Sequence, residues 1–193
     1  MSVIQNVVMT AHPLDGSASE VVPPEPSDAQ REVTRLFDES RTSLLRYVLS
    51  FGLSIEDAEE ITQEVFLALF QHLYLGKSRQ NLRGWIFSVA HNLALKRRHV
   101  NQRSRNGADP GSAVAESRID PSLNPEERVL CAQRQSRLRA VLAALPEQDQ
   151  CCLRLRAEGL RYREISRVLG ISLGAVSLSL TRSLTRLGFA DRK

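Results

Sequence analysis

Apolar residues recur at spacings of three and four along most of this chain, with no competing period-two alternation, so the pattern predicts helices and no strands. Val33, Leu36, Phe37, Leu44, Leu45, Val48 and Leu49 mark a first helix that starts near Ser27 and stops at Phe51-Gly52. Ser54, followed three residues later by Asp57, resembles a capping box and opens a second helix. Its stripe is Ala58, Ile61, Val65, Leu69 and Leu73, while Glu56, Asp57, Glu59, Glu60 and Glu64 make the rest of its surface acidic. After a turn from Gly76 to Gln80, Asn81 is positioned to cap a third helix carrying Trp85, Ile86, Val89, Ala90, Leu93 and Ala94. That helix ends in the basic run Lys96, Arg97, Arg98, Arg103 and Arg105, part of which the helix dipole alone would favour.

Two stretches lack the pattern. Residues 1–30 mix Pro, Gly and Ser with scattered apolar positions and read as a mobile leader; residues 106–124 are rich in Gly, Ser, Pro and Asp and read as a flexible linker. The chain therefore divides into a helical module over 31–105 and a second over 125–193. Asn124-Pro125-Glu126-Glu127 is a strong helix start, with an N-cap, a first-turn Pro and acids at the positive dipole end. Helices follow over 125–145, 147–158, 162–169 and 173–187, with Gly159, Gly170 and Gly188 as stops. The expected fold is all-α, two small helical domains joined by a linker, the second a helix-turn-helix.

The charge balance narrows the partners. Lys and Arg number 26 against 22 Asp and Glu, and the first thirty residues hold four acids and no base, so the remainder carries 26 − 18 = +8. A basic body suits nucleic acid or an anionic membrane surface. No apolar run reaches the ~18 residues of a membrane span and no signal-peptide pattern is present, which predicts a cytoplasmic chain with no membrane partner. Cys131, Cys151 and Cys152 lack ligand spacing, and His91 and His99 have no neighbouring ligands. No metal or other cofactor is expected, and the two histidines read as surface or phosphate-contact residues. Gly-rich phosphate loops, paired catalytic carboxylates and Ser/His/Asp orderings are missing as well, so no catalytic residue is assigned.

Ile165, Val168, Leu169, Ile171, Val176, Leu180, Leu184 and Leu187 would lock the last two helices together across Gly170. This pairing suits a DNA-reading helix-turn-helix and equally a plain packing hairpin. Arg161, Arg163 and Arg167 favour DNA, with Ser177, Leu178, Thr181, Arg182, Thr185 and Arg186 on the outer face. Trp85 can be core or a platform for an unstacked base; its spacing with Val89 and Leu93 favours core.

The stretches Leu145-Pro146-Glu147-Gln148, Glu158-Gly159-Leu160-Arg161-Tyr162-Arg163-Glu164-Ile165 and Leu169-Gly170-Ile171-Ser172-Leu173-Gly174-Ala175-Val176 resemble the −35 binding module of bacterial sigma factors of the extracytoplasmic-function group. Upstream, Asp57-Ala58-Glu59-Glu60-Ile61-Thr62-Gln63-Glu64-Val65-Phe66 resembles that family's polymerase-binding helix, and Leu82-Arg83-Gly84-Trp85 through His91-Asn92 its −10 helix. The resemblance implies an alternative, non-enzymatic sigma factor. Its partners would be core RNA polymerase, docked at the clamp helices of the largest subunit, and promoter DNA, with an anti-sigma factor as a further candidate. It assigns Asp57, Glu60, Gln63 and Glu64 to polymerase and Asn92, Lys96, Arg97 and Arg98 to the −10 strand. Arg161, Ser172, Ser177, Leu178, Thr181, Arg182 and Arg186 go to the −35 element, with Arg182 expected to discriminate bases. Lys96 stands where the family often has Asp, and Ser177, Leu178 and Ser179 where Arg or Lys is common. The alternative is a helix-turn-helix regulator that binds duplex DNA without polymerase.

Overall fold

Ser27 forms a reciprocal cap: its Oγ accepts from the Gln30 amide at 3.3 Å while its own amide donates to Gln30 Oε1 at 2.6 Å. It opens α1 (Asp28–Leu49) in a computed structural model that describes residues 27–104 and 124–191. Ser54 caps α2 (Ile55–Tyr74) through the Asp57 amide, and α3 (Leu82–Ser104) completes the first module. Asn124 accepts from the amides of Glu126 and Glu127 to start α4 (Pro125–Ala143). The chain continues as α5 (Glu147–Ala157), α6 (Tyr162–Leu169) and α7 (Leu173–Asp191). Among the described residues there are no strands. The leader through residue 26 and most of the linker, residues 105–123, lie outside them.

α1, α2 and α3 pack around Leu44, Tyr47, Ile61, Leu69, Ile86 and Phe87, each less than 2% exposed. Tyr47 meets Phe51 edge-on at 5.3 Å and lies 5.5 Å from Phe87. Trp85 is half-buried against this core, its ring 4.8 Å from His72, as its spacing with Val89 and Leu93 suggests. The second module buries Cys152, Leu155, Leu160, Ile165, Val176 and Leu180, and α4 lies along α7 with Arg134 paired to Asp191.

Several expectations change. His91 is buried, not on the surface: its Nδ1 is 2.8 Å from Tyr47 Oη, and burial pushes its pKa below the ordinary value. Stability tied to the neutral ring is therefore present above the ordinary histidine pKa and lost as pH falls below it. Tyr47→Phe leaves Nδ1 without its partner, and a loss of about 1 to 2 kcal/mol is expected. A lower urea midpoint at unchanged slope would register it. Asn81 makes no side-chain cap on α3; it adopts φ 53° and its amide lies against Glu164 and Arg167 of the second module. Gly188 does not end α7, which continues to Asp191, and Leu184 is 57% exposed because the inward face of that helix is Val176, Ser179, Leu180 and Ser183.

The two modules also touch each other. One apolar cluster runs from Ala29 through Leu180 and includes residues of both. α3 packs on α6, and polar side chains cross the seam. Arg46 donates to both carboxylate oxygens of Glu158, at 3.3 and 2.7 Å, and Arg83 donates to the Glu158 carbonyl at 2.6 Å. Arg98 pairs with Glu147. With its amide nitrogen turned to the acid, the orientation its neighbours require, Asn81 donates to Glu164 Oε1 at 2.7 Å and accepts from Arg167 Nη1 at 3.2 Å. A linker explains the missing period in 106–124, but it says nothing about whether the ends it joins touch.

Candidate functional site

α2 turns one side toward α1 and α3 and the other toward solvent. Glu60, Gln63 and Glu64 are exposed along that outer side, and Gln63 also borders a recess lined by Phe37, Arg41, Leu45 and Thr62. Asp57 differs from its three companions: it accepts from Arg97 at 2.5 Å and Asn101 at 2.8 Å, pinning the start of α2 to the end of α3. Arg97 also pairs with Glu60 at 2.9 Å. One guanidinium thus holds two of the acids assigned to polymerase, and its own pKa is raised by those bonds.

The α3 residues assigned to the −10 strand separate for the same reason. Asn92 and Lys96 are exposed, and Lys96 has no ion pair among the described residues. Arg97 is engaged by Asp57 and Glu60, and Arg98 by Glu147, with its guanidinium 5.9 Å from the Phe51 ring centre. Of the three cations assigned to the −10 strand, Lys96 is the one without an ion pair among the described residues.

In the second module α6 and α7 turn through 106°. Gly170 allows the turn at φ 66°, a left-handed value that costs a side-chain-bearing residue roughly 1 to 2 kcal/mol. No atom stands within 4 Å of a Cβ built there, so Gly170→Ala should cost about that backbone penalty and nothing for crowding; thermal melting tests it. Ser172 starts α7 by accepting from the Ala175 amide at 3.1 Å. Ser177, Leu178, Thr181 and Arg186 project from the outer face, and Arg161 is exposed just before α6. Two exposed faces set near a right angle can lay one helix across a DNA backbone and the other in the major groove.

Arg182 requires a correction of its expected surroundings. Its guanidinium folds back and grips the fully buried carboxylate of Asp149, at 2.8 and 2.7 Å, while Ser179 Oγ donates to the same carboxylate at 2.7 Å. The Arg182 bonds hold the Asp149 pKa below the usual carboxylate value. Ser179 is buried for the same reason: it is part of the lock between α5 and α7.

Comparison with known proteins accounts for both modules. Residues 36–104 match the family described as sigma-70 region 2, and residues 135–187 match sigma-70 region 4. The ECF RNA polymerase sigma factor ShbA of Streptomyces griseus subsp. griseus is 35% identical over 136 residues, covering 69% of each chain. The chain belongs to the ECF RNA polymerase sigma factor family. The probable RNA polymerase sigma factor RfaY of Xanthomonas campestris pv. campestris is 26% identical over 179 residues, and the chain spans 44% of its length. The fold resembles the sigma factor RpoE of Bartonella quintana, crystallised with the anti-sigma factor NepR. Its TM-score is 0.62 at 15% identity, covering 83% of this chain and 96% of that one.

Asp149, Glu147 and Glu158 were not singled out from the sequence. Each sits at an end of α5, where an acid passes as dipole compensation or solvated charge. Their partners lie 33, 49 and 112 residues away, beyond any helical spacing.

Proposed function

We propose that this chain joins core RNA polymerase and directs it to promoters. In this reading α2 docks on polymerase through Glu60, Gln63 and Glu64, with Asp57 and Arg97 orienting that face. α3 receives the melted −10 strand at Asn92 and Lys96, with Arg98 joining once released. α7 reads the −35 element with Ser177, Leu178, Thr181 and Arg186, while Arg161 and Ser172 meet the backbone. Arg182 acts by positioning the helix. The polymerase supplies all chemistry, which makes the chain itself a non-enzymatic, cytoplasmic factor. An anti-sigma protein is a fitting regulator, given the complex in which its structural relative was crystallised.

The observation that carries the proposal is that region 2 and region 4 occur in order in one chain, with an exposed acidic face on the first and an exposed helix-turn-helix face on the second. The test is reconstitution. The chain should co-purify with core polymerase and confer initiation on a promoter that core alone ignores. Tight duplex binding without polymerase, and no initiation with it, would mark a helix-turn-helix regulator instead.

A further expectation concerns Lys96. If it meets a phosphate of the melted strand, Lys96→Ala holoenzyme should form open complexes more slowly, with the salt slope reduced by about one. Core affinity should be unchanged.

A further inference from the structure

A cleft of about 360 Å³ lies between α3, the start of α5 and the turn after α6, within the ~300 to 1,000 Å³ of small-molecule sites. Leu95, Leu169 and Ile171 give it an apolar wall. Cys151 adds a buried thiol whose pKa burial pushes up, so it stays neutral. The polar groups have capacity to spare. Arg98 spends Nη2 on Glu147, while its buried Nε has no hydrogen-bond partner. A buried donor left unpaired is costly, and an acceptor brought into the cleft would relieve it. His91 lines the same cleft, and burial together with the Arg98 charge keeps its ring neutral. With the Tyr47 hydroxyl donating to Nδ1, the ring proton sits on Nε2, which is the nitrogen left for a ligand. The local charge points the same way. Arg98 and Arg154 each stand 5.9 Å from the Phe51 ring centre, Arg154 bonds to the neutral Gln150, and both cations act on Cys151. Glu147 is the acid set against these two cations, so positive charge is in excess by one.

We propose that this cleft binds a small monocarboxylate with an aliphatic or aromatic body, the carboxylate held by Arg98 and His91 Nε2 and the body laid against Leu95, Leu169 and Ile171. Planar guanidinium and planar carboxylate match in shape as well as charge. A bare inorganic anion would leave the apolar wall uncovered, and a neutral apolar molecule would leave the Arg98 donor unpaired. A single excess positive charge suits a monoanion better than a phosphate dianion. The inference goes beyond the proposed function and does not rest on it, since the cleft is a feature of the chain by itself.

Octanoate is the probe. It is titrated into the full-length chain by calorimetry, with octanamide and inorganic phosphate as controls, and amide shifts of the isotope-labelled chain place the site. Octanoate should saturate a single site and shift the amides of Arg98, Cys151 and Ile171. Octanamide and phosphate should each bind at least ~10-fold more weakly, the worth of one hydrogen bond to a charged group. Arg98→Lys keeps a cation for Glu147 but removes the Nε donor, and should weaken octanoate by at least ~10-fold as well. Leu95→Trp fills the cleft without changing any charge, and should abolish binding. Circular dichroism checks that both variants are folded. Absence of saturable octanoate binding at millimolar concentration overturns the proposal. Octanamide binding as tightly as octanoate would mean apolar adsorption, and phosphate binding as tightly would mean a bare anion site; either result overturns it. Wild-type affinity in both folded variants places the ligand elsewhere and overturns it too. Should either variant fail to fold, the shift map decides, and shifts that avoid the cleft residues sink the assignment.

Discussion

Arg182→Ala is expected to unfold the second module more readily, at a cost of about 3 kcal/mol, because it leaves the buried Asp149 carboxylate with Ser179 as its remaining side-chain donor. For a chain of this length that is a fall in melting temperature of roughly 6 to 12 °C. The reverse deletion should be milder. Asp149→Asn frees a guanidinium whose side chain is already 44% exposed and can turn to water, so about 1 kcal/mol is expected. The pH dependence carries a second signature. With Arg182 present, the Asp149 pKa lies below its ordinary value of 3.8, so its contribution is complete above that value and fades as pH falls through the folded pKa. Without Arg182 the largest cause of that depression is gone, leaving burial opposed by Ser179 and Arg186, so the variant's gap to wild type should narrow on acidification. A gap that stays constant would show that Asp149 is not the group left exposed to the loss. A promoter library separates positioning from reading: Arg182→Ala should weaken all −35 sequences together, and a change confined to one base pair would return Arg182 to a base-contact role.

Gln63→Lys/Glu64→Lys should lower affinity for core polymerase at least ~100-fold, since like charges across an interface cost several kcal/mol. These two positions are chosen because neither holds a side chain of its own module in place, whereas Glu60 holds Arg97. The helical signal and melting temperature should be unchanged within about 0.5 kcal/mol. Competition against wild type for fluorescent core, together with circular dichroism, measures both. Full affinity in a folded double variant would remove this face of α2 from the polymerase contact.

The helices were legible because their apolar periods and caps are local: Ser27, Ser54, Asn124 and Gly170 act over three or four residues. The outer residues of α2 and of α7 were legible for the same reason, since a helical period separates inside from outside. What the period cannot convey is whether an outward polar residue has a partner. Asp57 and Arg97 read as free surface charges, yet they meet because two helix ends cross. Arg182 read as a base contact because Asp149 lies on another helix. Leu184 read as core because it continues the spacing of Val176 and Leu180, whereas the inward positions beside them are taken by Ser179 and Ser183. His91 read as exposed because nothing in its neighbourhood announces that Tyr47, 44 residues upstream, supplies its hydrogen bond.

Glu158 places a negative side chain against the negative end of α5, where a helix by itself would prefer a cation. Within the second module alone this is a local conflict, and the arginines that resolve it come from α1 and α3. The −35 module is thus frustrated on its own and relieved by its neighbour, so each half of the chain carries part of the other's folding information. Separating them, in evolution or in the test tube, would first unravel the last turn of α5, and any partner that parts the two halves must either leave that turn strained or offer Glu158 a new cation.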